Sequence, residues 1–237
     1  MKAILPIILL TVVLISCGGT GVAPNVPEAQ PPQQPIAEPS APEQPQRTQS
    51  AASYTAKLQE LLDKTQKVKS YTFYYIDSTT QLQADQWFVK GDRAVVKLYE
   101  PNYWDREEWV DTVYLDFARR TAVGYCENWQ KVRCTDNNRM FTIALAPFDK
   151  KLPTYWLSQI PAEAQVMGSE TIDERFVTKI QWTEGGKTYT MWMDNTFGIP
   201  IKVLIEGGRE PEEFYYKDMA FNAVKEEMLV HQYVKRG

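Results

Sequence analysis

Few side chains in this chain could do covalent or metal chemistry, and their spacing limits what it could be. There is one histidine, His231, so any Ser-His-Asp or Cys-His pair would have to use it. No nucleophile motif accompanies it, and its place near the C-terminal end reads as a surface or tail histidine. Zinc sites need several Cys or His ligands at short spacing, which His231, Cys126 and Cys134 do not supply. No P-loop, Gly-x-Gly-x-x-Gly or Gly-x-Ser-x-Gly occurs. Carboxylates are plentiful, which leaves a two-carboxylate hydrolase as a weak third reading, but no pair stands out. The expectation is a chain that is not an enzyme and holds no cofactor or metal. A net charge of −4 gives no electrostatic case for nucleic acid or anionic lipid headgroups.

The remaining cysteine, Cys17, closes a different pattern. Lys2 gives a positive start, an apolar run follows from Ala3 to Ile15, and Leu14-Ile15-Ser16-Cys17-Gly18 comes next. The run is too short to span a bilayer as a helix but suits a secretory signal. Leu14 and Ser16 before Cys17 resemble a lipobox, the cleavage site of prokaryotic lipoprotein signal peptides. The resemblance implies that Cys17 becomes the mature N-terminus and carries a diacylglyceryl thioether. The alternative is an ordinary signal peptide that contains a cysteine. The implied location is the extracytoplasmic face of a cell-envelope membrane, with the chain lipid-anchored. Gly18 in place of Asp argues against retention at an inner membrane.

Cys126 and Cys134 flank a turn-like loop. In an oxidising compartment such a pair defaults to a disulfide. The closed loop is short, so its chain-entropy contribution is about 2–3 kcal/mol. A redox role would call for a low-pKa thiol, usually in Cys-x-x-Cys, and that spacing is absent.

Residues 17–52 read as a lipidated cysteine and a Pro-rich linker, with residues 1–16 as the signal peptide and 53–237 as one folded domain. More than half of the 15 prolines fall between Pro24 and Pro45, among Gln, Ala, Glu and Ser. Such a segment buries too little apolar surface to offset its ordering entropy. It would span roughly 35 Å as a coil and up to about 110 Å as polyproline II. It serves either as a working tether or as filler that clears the headgroups. All seven Trp, 13 Tyr and nine Phe lie beyond it.

Within the domain, Ser53 can cap a helix whose apolar stripe, Tyr54, Leu58, Leu61, Leu62 and Val68, ends near Lys69. Strand patterns follow at Tyr71 to Ile76, Gln86 to Val89, Ala94 to Tyr99, Val113 to Phe117, Thr121 to Cys126 and Lys131 to Cys134. A helical interlude is expected over Met140, Ile143, Ala144 and Leu145. A second short helix opens at Pro153 and carries Tyr155, Trp156, Leu157 and Ile160. Strands resume at Thr171. The best hairpin runs from Val177 to Met193 around Gly185-Gly186. Its register places Glu184 opposite Lys187, Trp182 opposite Tyr189 and Ile180 opposite Met191. Ile180, Trp182, Tyr189, Met191 and Met193 then share one face. Ile201 to Ile205 and Glu213 to Phe221 complete the sheet, and Val224 to Val234 is a tail of mixed type. A helix, a long antiparallel meander, a helical insertion and more meander read as a curved sheet wrapped over helices.

That layout, the stretch Tyr189-Thr-Met-Trp192-Met-Asp194-Asn-Thr-Phe-Gly198-Ile-Pro200-Ile-Lys202, and Phe214 to Asn222 as a final strand resemble the outer-membrane lipoprotein carrier superfamily, LolA and LolB with their relatives. The resemblance covers most of Ser53 to Asn222. It implies an α+β fold: a curved antiparallel sheet forming an unclosed half-barrel, with short helices covering its concave face and an apolar cavity for acyl chains. The soluble carrier of that family is not lipidated, so Cys17 aligns this chain with the lipid-anchored members.

The functional expectation is a membrane-anchored lipoprotein that binds a lipid, or the acyl chain of a lipoprotein, as carrier or acceptor. Ile180, Trp182, Tyr189, Met191 and Met193 would line the pocket, and Trp156, Leu157 and Ile160 would cover its mouth. Met and large aromatics adapt to variable apolar ligands. The alternative is a non-transport envelope sensor or assembly module with an unidentified protein partner and a filled core, written with the same residues.

Overall fold

A computed structural model of the chain describes residues 54–77, 84–105, 108–127 and 134–233. The expected signal peptide, Cys17, the Pro-rich linker and Ser53 lie outside the described residues. Residues 49–237 cluster as one compact unit.

The chain opens with α1 (Ala56–Thr65), whose first turn is capped by Thr55, its Oγ1 accepting from Leu58 N at 3.4 Å. It ends at Thr65, short of Lys69, and buries Leu58 and Leu61. Among the described residues, eleven strands then form one sheet. The first meander comprises β1 (Tyr71–Asp77), β2 (Gln86–Lys90), β3 (Arg93–Asp105), β4 (Glu108–Asp116), β5 (Thr121–Tyr125) and β6 (Phe141–Thr142). The second comprises β7 (Gln165–Ile172), β8 (Arg175–Glu184), β9 (Lys187–Asp194), β10 (Pro200–Glu206) and β11 (Glu212–Phe221). The strand order is β6-β5-β4-β3-β2-β1-β11-β10-β9-β8-β7, every pairing antiparallel. The last strand pairs with the first, which welds the two meanders, while among the described residues β6 and β7 are the edges of the sheet. The sheet is therefore an unclosed half-barrel, and the fold is α+β.

Local chemistry explains the register. Gly185 and Gly186 both take positive φ, 59° and 77°, as a two-residue turn matched to strand twist requires. Trp182 pairs with Tyr189 and Ile180 with Met191. Asp173 and Glu174, at φ 47° and 60°, make the same kind of turn between β7 and β8 without glycine. The second meander thus starts at Gln165, ahead of the expected Thr171.

The interlude differs from expectation. Phe141–Thr142 is a short strand beside β5, and a 3-10 turn, Ala146–Phe148, follows it. No helix covers Met140 to Leu145, because Pro147 blocks its extension and Phe141 gains ladder bonds to Gly124. Of the expected strand Lys131 to Cys134, residues 131–133 lie outside the described residues, and Cys134 is in no strand. The second helix forms as α2 (Pro153–Leu157), with Pro in its first turn.

Alternation along the strands sends one set of side chains to a concave core. Phe73, Trp87, Val96, Val113, Ile180, Met191, Met193, Val203 and Tyr216 join Leu58 and Leu61 of α1 and Trp156 of α2 in one hydrophobic cluster. A second, smaller cluster lies on the opposite face. There Val224 and Leu229 of the C-terminal tail pack on Val95, flanked by Phe88 and Tyr114.

Candidate functional site

Two places on the domain gather the residues that could bind something. On the concave face, all eight expected lipid-contacting residues enter one cluster. Ile180, Met191 and Met193 are 0% exposed, Trp156 2%, and Trp182 and Ile160 4%; Tyr189 and Leu157 are partly buried. In this arrangement the side chains fill the concave face. A cavity of about 310 Å3 does open where α1 and α2 approach β1 and β2, and Leu157 is the one of the eight that lines it.

Hydrogen bonds tie parts of this core together. Trp156 Nε1 donates to Tyr216 OH at 2.6 Å, and Tyr216 OH donates to Lys151 O, which ties α2 and the preceding loop to β11. Burial pushes the Tyr216 phenol well above its ordinary value and raises Tyr71 to about 12, so both stay neutral. Trp182 Nε1 is buried and has no hydrogen-bond partner. Its ring stacks on Tyr189 with centroids 5.1 Å apart and planes 6° from parallel.

The turn Asp194–Pro200 closes the concave face against α1. Asp194 Oδ1 accepts from Thr196 N and Phe197 N, both at 2.8 Å, and its Oδ2 lies 3.1 Å from Arg175 Nη1. Gly198, at φ 69°, lets the backbone touch α1: a Cβ there would lie 1.9 Å from Leu61 O. The turn from Trp192 to Pro200 therefore docks a helix.

The convex face carries the arrangement that sequence reading missed. The tail leaves β11 at Asn222, whose Oδ1 accepts from Lys69 N at 2.7 Å. It then crosses β2, β3 and β4, and Glu226 pairs with Lys90 and Arg93. His231 lands on Tyr125, rings 3.8 Å apart and 5° from parallel. Its side chain is only 11% exposed, so the expected surface or tail histidine is corrected to a packed one. His231 Nδ1 lies 2.7 Å from Glu127 Oε1, which also accepts from Tyr114 OH at 2.6 Å, and Lys97 Nζ lies 2.7 Å from Glu127 Oε2. A carboxylate only accepts, so Nδ1 carries the proton in this pair. Burial pushes the Glu127 carboxyl up, but the bonds from Lys97, Tyr114 and His231 outweigh it and hold it below its ordinary value. Burial, then the Glu127 hydrogen bond, raises Tyr114. A cavity of about 660 Å3 lies beside this group, under the tail. The one available signal was the unbroken apolar run Ala94-Val95-Val96, which marks a strand covered on both faces.

Cys126 and Cys134 are joined as a disulfide, with Cα atoms 5.5 Å apart. Their sulfurs and the Asp111 carboxylate lie within 4.8 Å of one another, but bonded sulfurs are not thiolates and do not ligate metal. Asp111, 0% exposed, instead accepts from Glu127 N at 2.9 Å and so positions the start of the Glu127 loop.

No family model matches the chain, and no curated protein matches it. Among solved structures it is similar to the MucA/MucB complex of Pseudomonas aeruginosa at 13% identity and TM-score 0.42, covering 74% of this chain but only 61% of that one. It is also similar to LprF from Mycobacterium bovis, at 13% identity, TM-score 0.42 and 73% and 96% coverage. The lipoprotein LppX of Mycobacterium tuberculosis is matched at 13% identity, TM-score 0.40 and 72% and 95% coverage.

Proposed function

We propose that the chain is a lipid-anchored, extracytoplasmic binding module of the cell envelope, not an enzyme, whose half-barrel holds its own side chains in place of a transported lipid. The observation that carries this reading is the filling of the concave face: Trp87, Trp156, Phe73, Tyr216, Ile180, Met191 and Met193 are each below 2% or at 2% exposure. Such a domain acts by what docks on its outside. The test is Met191→Arg. In a filled core an unpaired charge has nowhere to go, so the variant loses its cooperative unfolding transition. A folded variant with reduced fluorescent fatty-acid binding would overturn the reading. Cys17→Ser should move the protein from the membrane to the soluble fraction; membrane retention after a high-salt wash would remove the anchor.

A second reading, the lipid carrier or acceptor, is favoured by two observations. Trp182 presents a buried N–H without an acceptor, and the 310 Å3 cavity beside Leu157 offers a start for an entry path. Under it α2 is displaced and an acyl chain replaces part of the core, with Trp182 donating to the ligand's carbonyl.

A further inference from the structure

We infer that the convex cavity under the C-terminal tail is a binding site for a small amphiphile with an apolar body and a hydrogen-bond-donating head, an amine or a hydroxyl. The site is separate from the concave core and asks nothing of it. Its volume, about 660 Å3, falls in the range of small-molecule pockets. Phe88 and Val95 from the sheet and Met228 and Val230 from the tail give apolar walls. Met228 and Val230 are 38% and 47% exposed, so the tail holds two apolar side chains toward water at the site, where a ligand would cover them.

The head preference follows from how the polar groups are spent. Lys97 Nζ lies 3.1 Å from Thr112 Oγ1 and 2.7 Å from Glu127 Oε2, and Tyr114 OH and His231 Nδ1 both donate to Glu127 Oε1. These donors point at protein acceptors. Acceptor capacity remains: Glu127 Oε2 takes one of these bonds where Oε1 takes two, and the Asn137 and Glu227 side chains line the same space. Among the described lining residues Glu127 and Glu227 bring two carboxylates; Lys97 Nζ lies 2.7 Å from Glu127 Oε2 and Lys225 Nζ 3.9 Å from Glu227 Oε1. A carboxylate head would approach the Glu127 and Glu227 carboxylates, while an ammonium or hydroxyl could donate to them. The half-buried carboxylate of Glu127, with three bonded partners, is a polar end opposite an apolar lip.

The experiment is Nile red binding to the full soluble domain, with displacement by dodecylamine, dodecanol and dodecanoate. The expected result is saturable binding, displaced by the amine and the alcohol at least tenfold more effectively than by the carboxylate. Met228→Gln combined with Val230→Thr should weaken displacement about tenfold with an unchanged unfolding midpoint, since both side chains are exposed. Glu127→Gln should erase the preference for dodecylamine over dodecanoate. Trp182→Phe should leave the probe unaffected. No saturable binding, a preference for dodecanoate, or binding lost in Trp182→Phe but kept in the tail variant would each overturn the site. The last of these would point to the concave face and so bears on the filled-core reading, whereas the first two leave that reading standing.

Discussion

His231 Nδ1 and Glu127 Oε1, 104 residues apart in sequence, meet at 2.7 Å and fasten the end of the chain to the loop after β5. The groups facing Glu127 are Lys97, Tyr114 and His231, with Tyr125 stacked on the imidazole. Because the Glu127 carboxyl titrates below its ordinary 4.5 in the folded chain, its ionised form stabilises the attached tail. That contribution is fully present above pH 4.5. As pH falls, the detached state takes up its proton first, and the contribution is gone once the folded carboxyl is protonated. Hydrogen exchange at residues 224–233, corrected for intrinsic rates, should show protection falling as pH drops below 4.5. In Glu127→Gln protection should be weaker and flat across that window. A wild-type tail whose protection does not change there would refute the fastening role.

How far the sequence carried depends on where each signal was local. The Gly185-Gly186 hairpin register was readable because two adjacent residues with positive φ fix it. The helix cap shifted from Ser53 to Thr55 because both residue types serve and only packing of Leu58 and Leu61 chooses. The missed strand at Phe141–Thr142 is two residues long and owes its state to β5. His231 was misread for a similar reason: its partners Glu127 and Tyr125 are distant in sequence, and no periodicity in the tail announces them. The concave residues were grouped correctly on one face, but alternation states only which face is apolar, not whether side chains or ligand fill it.

Asp194 holds three groups from inside the core. Its side chain is 3% exposed, and it accepts from two backbone N–H groups and Arg175. Asp194→Ala takes the acceptor from two backbone N–H groups and from one arm of a half-buried guanidinium whose other arm still donates to Met219 O, a loss of about 2–3 kcal/mol. Asp194→Asn retains one acceptor and should lose less. Urea denaturation with an unchanged m-value is the measurement, and a shift of under about 1 kcal/mol in Asp194→Ala would contradict the assignment.

Gly198→Ala tests the docking of α1. The residue sits at φ 69°, and a Cβ would lie 1.9 Å from Leu61 O, a backbone atom that cannot rotate away. Backbone strain and displacement of the helix together should cost at least about 2 kcal/mol. Gly185→Ala is the control: its φ is 59°, but its Cβ would meet nothing within 4 Å. The control should lose only the backbone part. Equal losses in the two variants would mean that contact with α1 contributes nothing.

Trp182→Phe separates the two readings of the concave face through one nitrogen. In a filled core the substitution removes a buried N–H that has no acceptor, so part of the cost of the smaller ring is returned. The ring still faces Tyr189 across the ladder. Stability should then change by no more than about 1 kcal/mol, because the lost volume and the relieved desolvation oppose each other. In a lipid carrier the same nitrogen donates to the ligand. The variant should then keep its unfolding midpoint without ligand, lose several-fold in affinity for a fluorescent fatty acid, and lose the stabilisation that the acid confers on the wild type. Thermal unfolding of both proteins with and without the fatty acid reads the two outcomes in one experiment. A midpoint that the acid moves in neither protein keeps the filled core, and a ligand-dependent rise confined to the wild type replaces it with the carrier.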